Sequence, residues 1–388
     1  MQKNYMEKTV SFCYNVPYRK DNPMVTKKNV LWNLSEISLP KEINHIEKCL
    51  FMDIETTGFT AKGSYLYLIG CVYVTENHFE SIQWLAESNE EEVALLNAFA
   101  EFAAPFTTLI HYNGNRFDVP YLTEKYVHFG LSNPLADKEG LDLFRRIEPY
   151  KTFLRLPDCK QKTIETFLNV DREDVLSGRE LIGVYLQYTQ THEDREEDLL
   201  LLHNADDIAG LVRILPILSY VELCNMPLTV TKVAQNAYSS FDGTQTLELL
   251  MKVKFPSPLP VQINVYNKGC YLTGIGSEGC IKVPVYHGEL KYFYANYRDY
   301  YYLPDEDCAL HKSISAFVDP SHRQKATKEN CYTRKEGDFL PQWDAYALPF
   351  FKKEYKSKEM YFELTEGLKQ DREFFNGYAS HVLLQMLK

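Results

Sequence analysis

Residues 50–59 read LFMDIETTGF. An apolar run, Leu50–Met52, leads into two carboxylates, Asp53 and Glu55, with only Ile54 between them. Taken with the preceding KC, the stretch reads as a buried strand. In a strand, residues two apart project from the same face, so the two acids stand side by side, roughly 7 Å apart at their base. Like charges at a partly dry strand end repel and lose hydration. Three things relieve that cost: protonation of one acid, a nearby Arg or Lys, or a divalent cation. An oxygen-rich site favours Mg2+ or Mn2+.

Outward from this strand, YLYLIGCVYV and HFESIQWLA read as two further strands, with connections short enough for an antiparallel meander. SNEEEVALLNAFAEFAAP reads as a helix, with Ser88 and Glu91 as a capping box and Pro105 beyond its end. TTLIHYNG is a fourth strand, and DVPYLTEKYVHFG a helix closed by Gly130. GLDLFRRI starts as a short strand, and KTIETFLNV and SGRELIGVYLQYT are helices. The stretch from Asp194 to Val221 is a long helical region broken near Pro216. Strands first, then strands alternating with helices, imply an α/β fold with a mixed sheet covered on its faces.

Beyond about residue 225 the pattern changes. Short strands punctuated by NKG, GSEG and HGE turn signals are expected, then a helix at CALHKSISAFVD, a hairpin around Gly337 and a C-terminal helix. This is a C-terminal α+β region. The expected organisation is an irregular N-terminal arm at 1–44, an α/β domain at 45–222 and the α+β domain at 223–388.

The net charge of −11 and a pI near 5.5 argue against broad, non-specific affinity for nucleic acid or anionic membrane, though not against a local basic groove. Nine scattered cysteines without a C-x-x-C pair read as free thiols. The N-terminal residues lack the apolar core of a signal peptide, and no apolar run approaches the ~18 residues of a membrane span. A cytoplasmic protein without a membrane partner is expected.

Two further stretches give the carboxylate pair its meaning. In HYNGNRFDVPYL, Asp118 follows a strand and a glycine loop and opens a helix. In HNADDIAGL, His203 and Asp207 stand at helical i and i+4 and share a face. Asp206, at i+3, also lies near the His203 face and competes with Asp207; the i+4 spacing of Asp207 is that of the motif named below. A strand-borne pair, a helix-start Asp and a helix-face Asp beside a His supply two cation sites and a general base, the two-metal arrangement for phosphodiester cleavage.

These motifs resemble those of the DEDD 3′–5′ exonuclease superfamily, which has an RNase H-like fold. DIETTGF is similar to its first motif, NGNRFD (Asn113–Asp118) to its second, and HNADD to its third in the Tyr/His-x-x-x-Asp form. The His-Asn start of the third motif is similar to that of the YprB-like group of predicted exonucleases. The resemblance covers about residues 45–222, with the three motifs in order. It implies that Asp53, Glu55, Asp118 and Asp207 bind two divalent ions, Mg2+ or Mn2+. It further implies that His203 takes a proton from the attacking water or positions that water. His203 stands where many relatives carry Tyr, one residue closer to the Asp than in the His-type exonucleases. The implied activity is 3′–5′ hydrolysis of single-stranded DNA or RNA. The alternatives are a nucleic-acid-binding scaffold with a vestigial site and an endonuclease on the same fold.

The resemblance also implies contact of Glu55 with the 3′-terminal sugar hydroxyl. Thr56, Thr57, Gly58, Asn113 and Phe117 are the candidate substrate-binding residues, Thr56–Gly58 through backbone amides; an Asx-type bond within its own loop is the other reading of Asn113. Asp142 is read as an exposed strand-end acid or an addition to the site. Arg145, Arg146, Lys151, Arg155, Lys160 and Lys162 are a phosphate track or solvated surface. His111 and His128 are read as packed or exposed without a role, and the tyrosines of 292–304 as strand packing, with a platform for stacking bases as the alternative.

Overall fold

The computed structural model describes residues 24–239 and 245–388. They fall into two compact units divided between Leu218 and Ser219.

The first unit is built on β2 (Cys49–Thr56), whose Cys49–Met52 stretch is buried because it runs through the middle of a sheet. On one side β2 pairs antiparallel with β3 (Leu66–Thr75), and β3 with β4 (His78–Ala86), the expected meander. On the other side it pairs in parallel with β5 (Thr108–His111), which in turn carries β6 (Glu139–Asp142), also parallel. Residues 24–33, expected within an irregular arm, form β1 (Met24–Asn33) and pair antiparallel with β4 at the sheet edge; the rest of that arm's start lies outside the described residues. An edge strand shows only a weak alternation, which its Lys and Asn residues mask. The sheet order is β1-β4-β3-β2-β5-β6.

Helices cover both faces. Leu50, Met52 and Ile54 of β2 pack in one core with Leu95, Leu96 and Phe99 of α1 (Glu92–Ala103) and with Leu122 and Tyr126 of α2 (Asp118–His128). Burying each such side chain contributes about 1.5–3 kcal/mol. The short α3 (Leu143–Ile147) and α4 (Gln161–Phe167) follow β6. On the opposite face α5 (Gly178–Thr191) packs against α6 (Asp194–Arg213), which lies over β2, β3 and β4. The expected break at Pro216 is a 3₁₀ turn, Leu215–Ile217, ahead of α7 (Leu218–Asn225). The capping box at Ser88 does not form: Glu91 accepts instead from the Glu87 amide, and a 3₁₀ turn precedes α1.

The second unit is dominated by an antiparallel sheet, β14-β13-β9-β8-β7. Here β7 is Thr229–Ser239, β8 Gln245–Asn267, β9 Cys270–Phe293, β13 Tyr332–Gln342 and β14 Met360–Glu363. Between β9 and β13 lie β10 (Tyr300–Leu303), β11 (Cys308–His311) and β12 (Gln324–Lys325), a separate small sheet. The C-terminal helix α8 (Arg372–Leu387) packs on β7, β8 and β9.

Three expectations fail here. Of the three turn signals only NKG turns the chain, with Lys268 at φ 51° and Gly269 at φ 79°. GSEG and HGE lie inside β9, where pairing with β8 and β13 overrides the turn preference. Gly337 likewise lies within one continuous strand rather than a hairpin, and the helix expected from Cys308 is strand β11 followed by a 3₁₀ turn. The described cysteines are all unpaired, and among the described residues no helix is long and apolar enough to cross a membrane.

A buried ion pair ties the loop after β2 to the helices. Lys125 Nζ lies 2.6 Å from Glu92 Oε1 and donates to the Ser64 carbonyl at 2.6 Å, while Glu92 accepts the Leu66 amide at 2.7 Å. Removing one partner strands the other charge in the interior. Lys125→Met is therefore expected to cost about 3–5 kcal/mol in urea denaturation. Adding Glu92→Leu should recover a large part of that loss; a double variant weaker than the single one would contradict it.

Candidate metal centre

Asp53 and Glu55 leave β2 on the face opposite Leu50, Met52 and Ile54, towards α6. That helix comes unusually close because Asp53 pairs across the sheet with Gly70. A Cβ at Gly70 would lie 1.9 Å from Asn204 Oδ1, so only glycine admits the helix at this height. Asn204 Nδ2 donates to Asp53 Oδ2 at 3.1 Å, and Gln83 Nε2 donates to Asn204 Oδ1 at 3.0 Å, fixing which way the amide points.

One turn apart on α6, His203 and Asp207 face the same place. His203 Nε2 is 3.5 Å from Glu55 Oε1 and 3.2 Å from Asp207 Oδ2. One ligand atom each from Glu55, His203 and Asp207 lie within 4.8 Å of one another. Asp206 points elsewhere and accepts the backbone amides of Glu173 and Asp174 at 2.8 and 2.7 Å.

Asp118 reaches the site because β5 runs parallel to β2 and both strands end at the same edge of the sheet. The chain turns back from β5 through Tyr112–Phe117 and opens α2 with Asp118. Asn113 takes a left-handed backbone, φ 58°, which asparagine tolerates better than most residues. Gly114 lies against His111, whose ring a Cβ would meet at 2.7 Å. Asp142 fastens this loop. It accepts the Asn113 amide at 2.9 Å and the Asn115 amide at 3.2 Å, and caps α3 through the Arg145 amide. Expected as an exposed acid or an addition to the site, Asp142 is instead a buried anchor at 4% exposure. His111 is also buried, with Nδ1 3.8 Å from Asp142, and burial lowers its pKa.

The acids act on one another. Burial, then the charges of Asp207, Glu55 and Asp118, pushes the Asp53 carboxyl well above the usual carboxylate range, against the pull of Asn204. Glu55 is raised in the same way by burial and then by Asp207, Asp118 and Asp174. Asp118 rises from 3.8 to about 7: burial lifts it, its own amide and that of Ile54 pull it down, and Asp142 and Asp207 add to the lift. Protons and cations compete for the same oxygens. Four mutually repelling carboxylates, all hard donors, fit Mg2+ or Mn2+, with Asp53, Glu55, Asp118 and Asp207 as the residues that would hold it.

The stretch Arg172–Leu176 supplies site residues that sequence reasoning missed. Arg172 donates to Asp207 Oδ1 at 2.8 Å and to both oxygens of Glu165 at 3.0 Å. Asp174 Oδ2 lies 2.8 Å from His203 Nδ1. Burial pushes Asp174 up, but the Leu176 amide and His203 outweigh it and hold the carboxyl below its ordinary value. The DRED run at 171–174 lies outside the three motifs, and only its place against α6 brings it to the site. Asn204 had a signal: it directly follows His203 in the third motif.

The other candidates are placed as follows. Thr56 Oγ1 donates to the Gly58 carbonyl at 2.8 Å. The Thr57 amide donates to the Tyr65 carbonyl at 2.9 Å, so it is spent within the loop rather than offered to a ligand. Phe117 packs edge-on to Phe59, which is 90% exposed beside the site. Of the basic residues, Arg146 pairs with Glu42, Lys160 with Asp158 and Lys162 with Asp174, while Arg145 and Arg155 are exposed. His128 is exposed at the end of α2. Tyr292, Tyr294, Tyr300 and Tyr302 are half-buried, and Tyr294 stacks on Tyr300 at 4.5 Å.

The model of a family described as the RNase_H superfamily matches residues 50–219, which include every acid of the cluster. The six-stranded mixed sheet with its flanking helices is RNase H-like, with the antiparallel region beyond it. A search of curated proteins finds no match. Among solved structures, exonuclease I is similar at 11% identity, with 53% of this chain and 55% of that one covered and a TM-score of 0.30. The zinc-bound E. coli exonuclease I–ssDNA complex gives 14% identity, 54% and 55% coverage, and 0.28. The family B DNA polymerase of Pyrobaculum calidifontis gives 13%, 65% and 35%, and 0.34. The chain spans about half the length of the exonuclease I chains it matches.

Two outcomes test the site. Gly70→Ala should displace Asn204, destabilise the protein by about 1–3 kcal/mol in chemical denaturation, and weaken Mn2+ binding in calorimetry. For pH, Asp118 has a folded pKa above its unfolded one, so its stabilisation is full below 3.8 and lost as pH rises through about 7. With chelator present, Tm should fall across that window, less so in Asp118→Asn, and added Mg2+ should restore it. A slope that Asp118→Asn leaves unchanged would count against this coupling.

Proposed function

We propose that the protein is a divalent-cation-dependent 3′–5′ exonuclease of single-stranded DNA or RNA, of the DEDD type and the YprB-like branch. One observation carries this reading: acids from β2, the start of α2 and the middle of α6 meet on one face beside His203. Fold stability does not need that convergence, since burying acids beside one another costs free energy.

Mg2+ or Mn2+ bound by the four acids would supply Lewis acidity, making a water more acidic and stabilising the leaving oxygen. The chain's own groups supply the rest. His203 Nε2 faces Glu55 and Asp207 and stands where it can take a proton from a water beside them. Glu55 would also meet the 3′-terminal hydroxyl. Gly58, Thr56, Phe117 and Asn113 would position the terminal nucleotide. The exposed Arg145 and Arg155 suit the phosphates upstream of it. The products are nucleoside 5′-monophosphates, released singly from a free end.

Labelled oligonucleotides of both sugar types, with free and blocked 3′ ends, test this reading. With Mg2+ or Mn2+, free ends should be shortened stepwise and blocked ends spared. Asp53→Ala and Asp207→Asn should each abolish shortening while leaving the circular-dichroism spectrum unchanged. Cleavage of a circular single strand would establish an endonuclease instead. Tight binding without cleavage under either metal would leave only the scaffold.

A further inference from the structure

A neutral imidazole carries one proton, and which nitrogen holds it decides what the other can do. His203 is 5% exposed and is flanked by carboxylates on both sides. Asp174 lies at Nδ1, at 2.8 Å, and Glu55 and Asp207 lie at Nε2, at 3.5 and 3.2 Å. With the proton on Nε2, the ring would donate into the acid cluster and could accept nothing there. With the proton on Nδ1, Nε2 presents a bare lone pair to the same cluster.

The shortest contact is the one to Asp174, and its surroundings hold it there. Its Oδ1 accepts the Leu176 amide at 3.0 Å, and Lys162 Nζ lies 3.3 Å from its Oδ2. Arg172 Nη2 lies 3.7 Å from the same oxygen. The backbone amides of Glu173 and Asp174 are tied to Asp206 Oδ2. Asp206 and His203 belong to the same stretch of α6, so the acceptor's segment is tied to the helix that carries the ring. Arg172, from the same segment, takes Asp207 Oδ1 and leaves Oδ2 to face the ring.

We propose that Asp174 is a positioning residue that accepts the Nδ1–H of His203 and so fixes the tautomer whose Nε2 is a free acceptor beside Glu55 and Asp207. Its catalytic consequence rests on the nuclease reading above; the tautomer itself does not. A buried carboxylate that orients an imidazole from behind is the general means of setting which nitrogen acts. The role explains why a charged loop outside the three motifs is folded against α6. It also explains why Asp206, beside the site but turned from it, is occupied with backbone amides.

Ring-nitrogen NMR on histidine-labelled, Mg2+-saturated protein in mildly alkaline buffer tests this, with the His203 signals assigned by their loss in His203→Gln. The wild type should show a protonated Nδ1 and an unprotonated Nε2. Asp174→Ala keeps the backbone amide that Asp206 accepts from. In it the proton should move to Nε2, and kcat should fall about a hundredfold or more with KM within about twofold. A proton on Nε2 in the wild type, or an Asp174→Ala spectrum unchanged from it, would overturn the proposal. The wild-type spectrum decides even if the variant does not fold. The expected tautomer without nuclease activity would sink the nuclease reading alone, whereas cleavage with the proton on Nε2 would sink the positioning role alone.

Discussion

Carboxylate repulsion at the end of β2 is the constraint around which the first unit is organised. Asp53 and Glu55 project from a strand whose neighbours on either side are buried, and Asp118 and Asp207 are brought up against them. Asp53, Glu55 and Asp118 are displaced upward from their ordinary titration ranges, first by burial and then by the charges of their neighbours. Arg172 compensates Asp207, and Asn204 offers one hydrogen bond to Asp53. Neither matches the negative charge assembled there. A fold that only needed stability would place apolar groups at these positions.

The architecture delivers the acids through two devices. Parallel pairing of β2 and β5 brings the ends of both strands to one edge, so a residue at the start of α2 arrives beside a residue at the end of β2. A missing side chain at Gly70 lets α6 sink towards the sheet, carrying His203, Asn204 and Asp207 to the depth of Asp53. Buried polar pairs then hold the loops between these elements. Lys125 with Glu92 secures the turn after β2, and Asp142 secures the turn after β5. Around the histidine the logic repeats on a smaller scale: a charged segment between α4 and α5 folds back so that its acid meets one nitrogen and its arginine one oxygen.

Local sequence determined the parts of this protein governed by periodicity and covalent neighbours. The strands β2 to β4, the helices α1, α2 and α6 and the break at Pro216 follow from side-chain period and helix-breaking chemistry, which act within a few residues. The same short range put Asp53 with Glu55 on one face and His203 with Asp207 on another. What tertiary structure alone decided depends on contacts between residues far apart in the chain. The pairing of 24–33 as an edge strand, the extension of β9 through two glycine-containing turn signals and the burial of Asp142 are of this kind. So are Arg172 and Asp174, which lie outside every motif and join the site only because the fold sets them against α6. Hydrophobic pattern and turn chemistry are written locally, whereas strand partners and buried charge networks are settled by whichever distant groups remove their unpaired donors and acceptors from water.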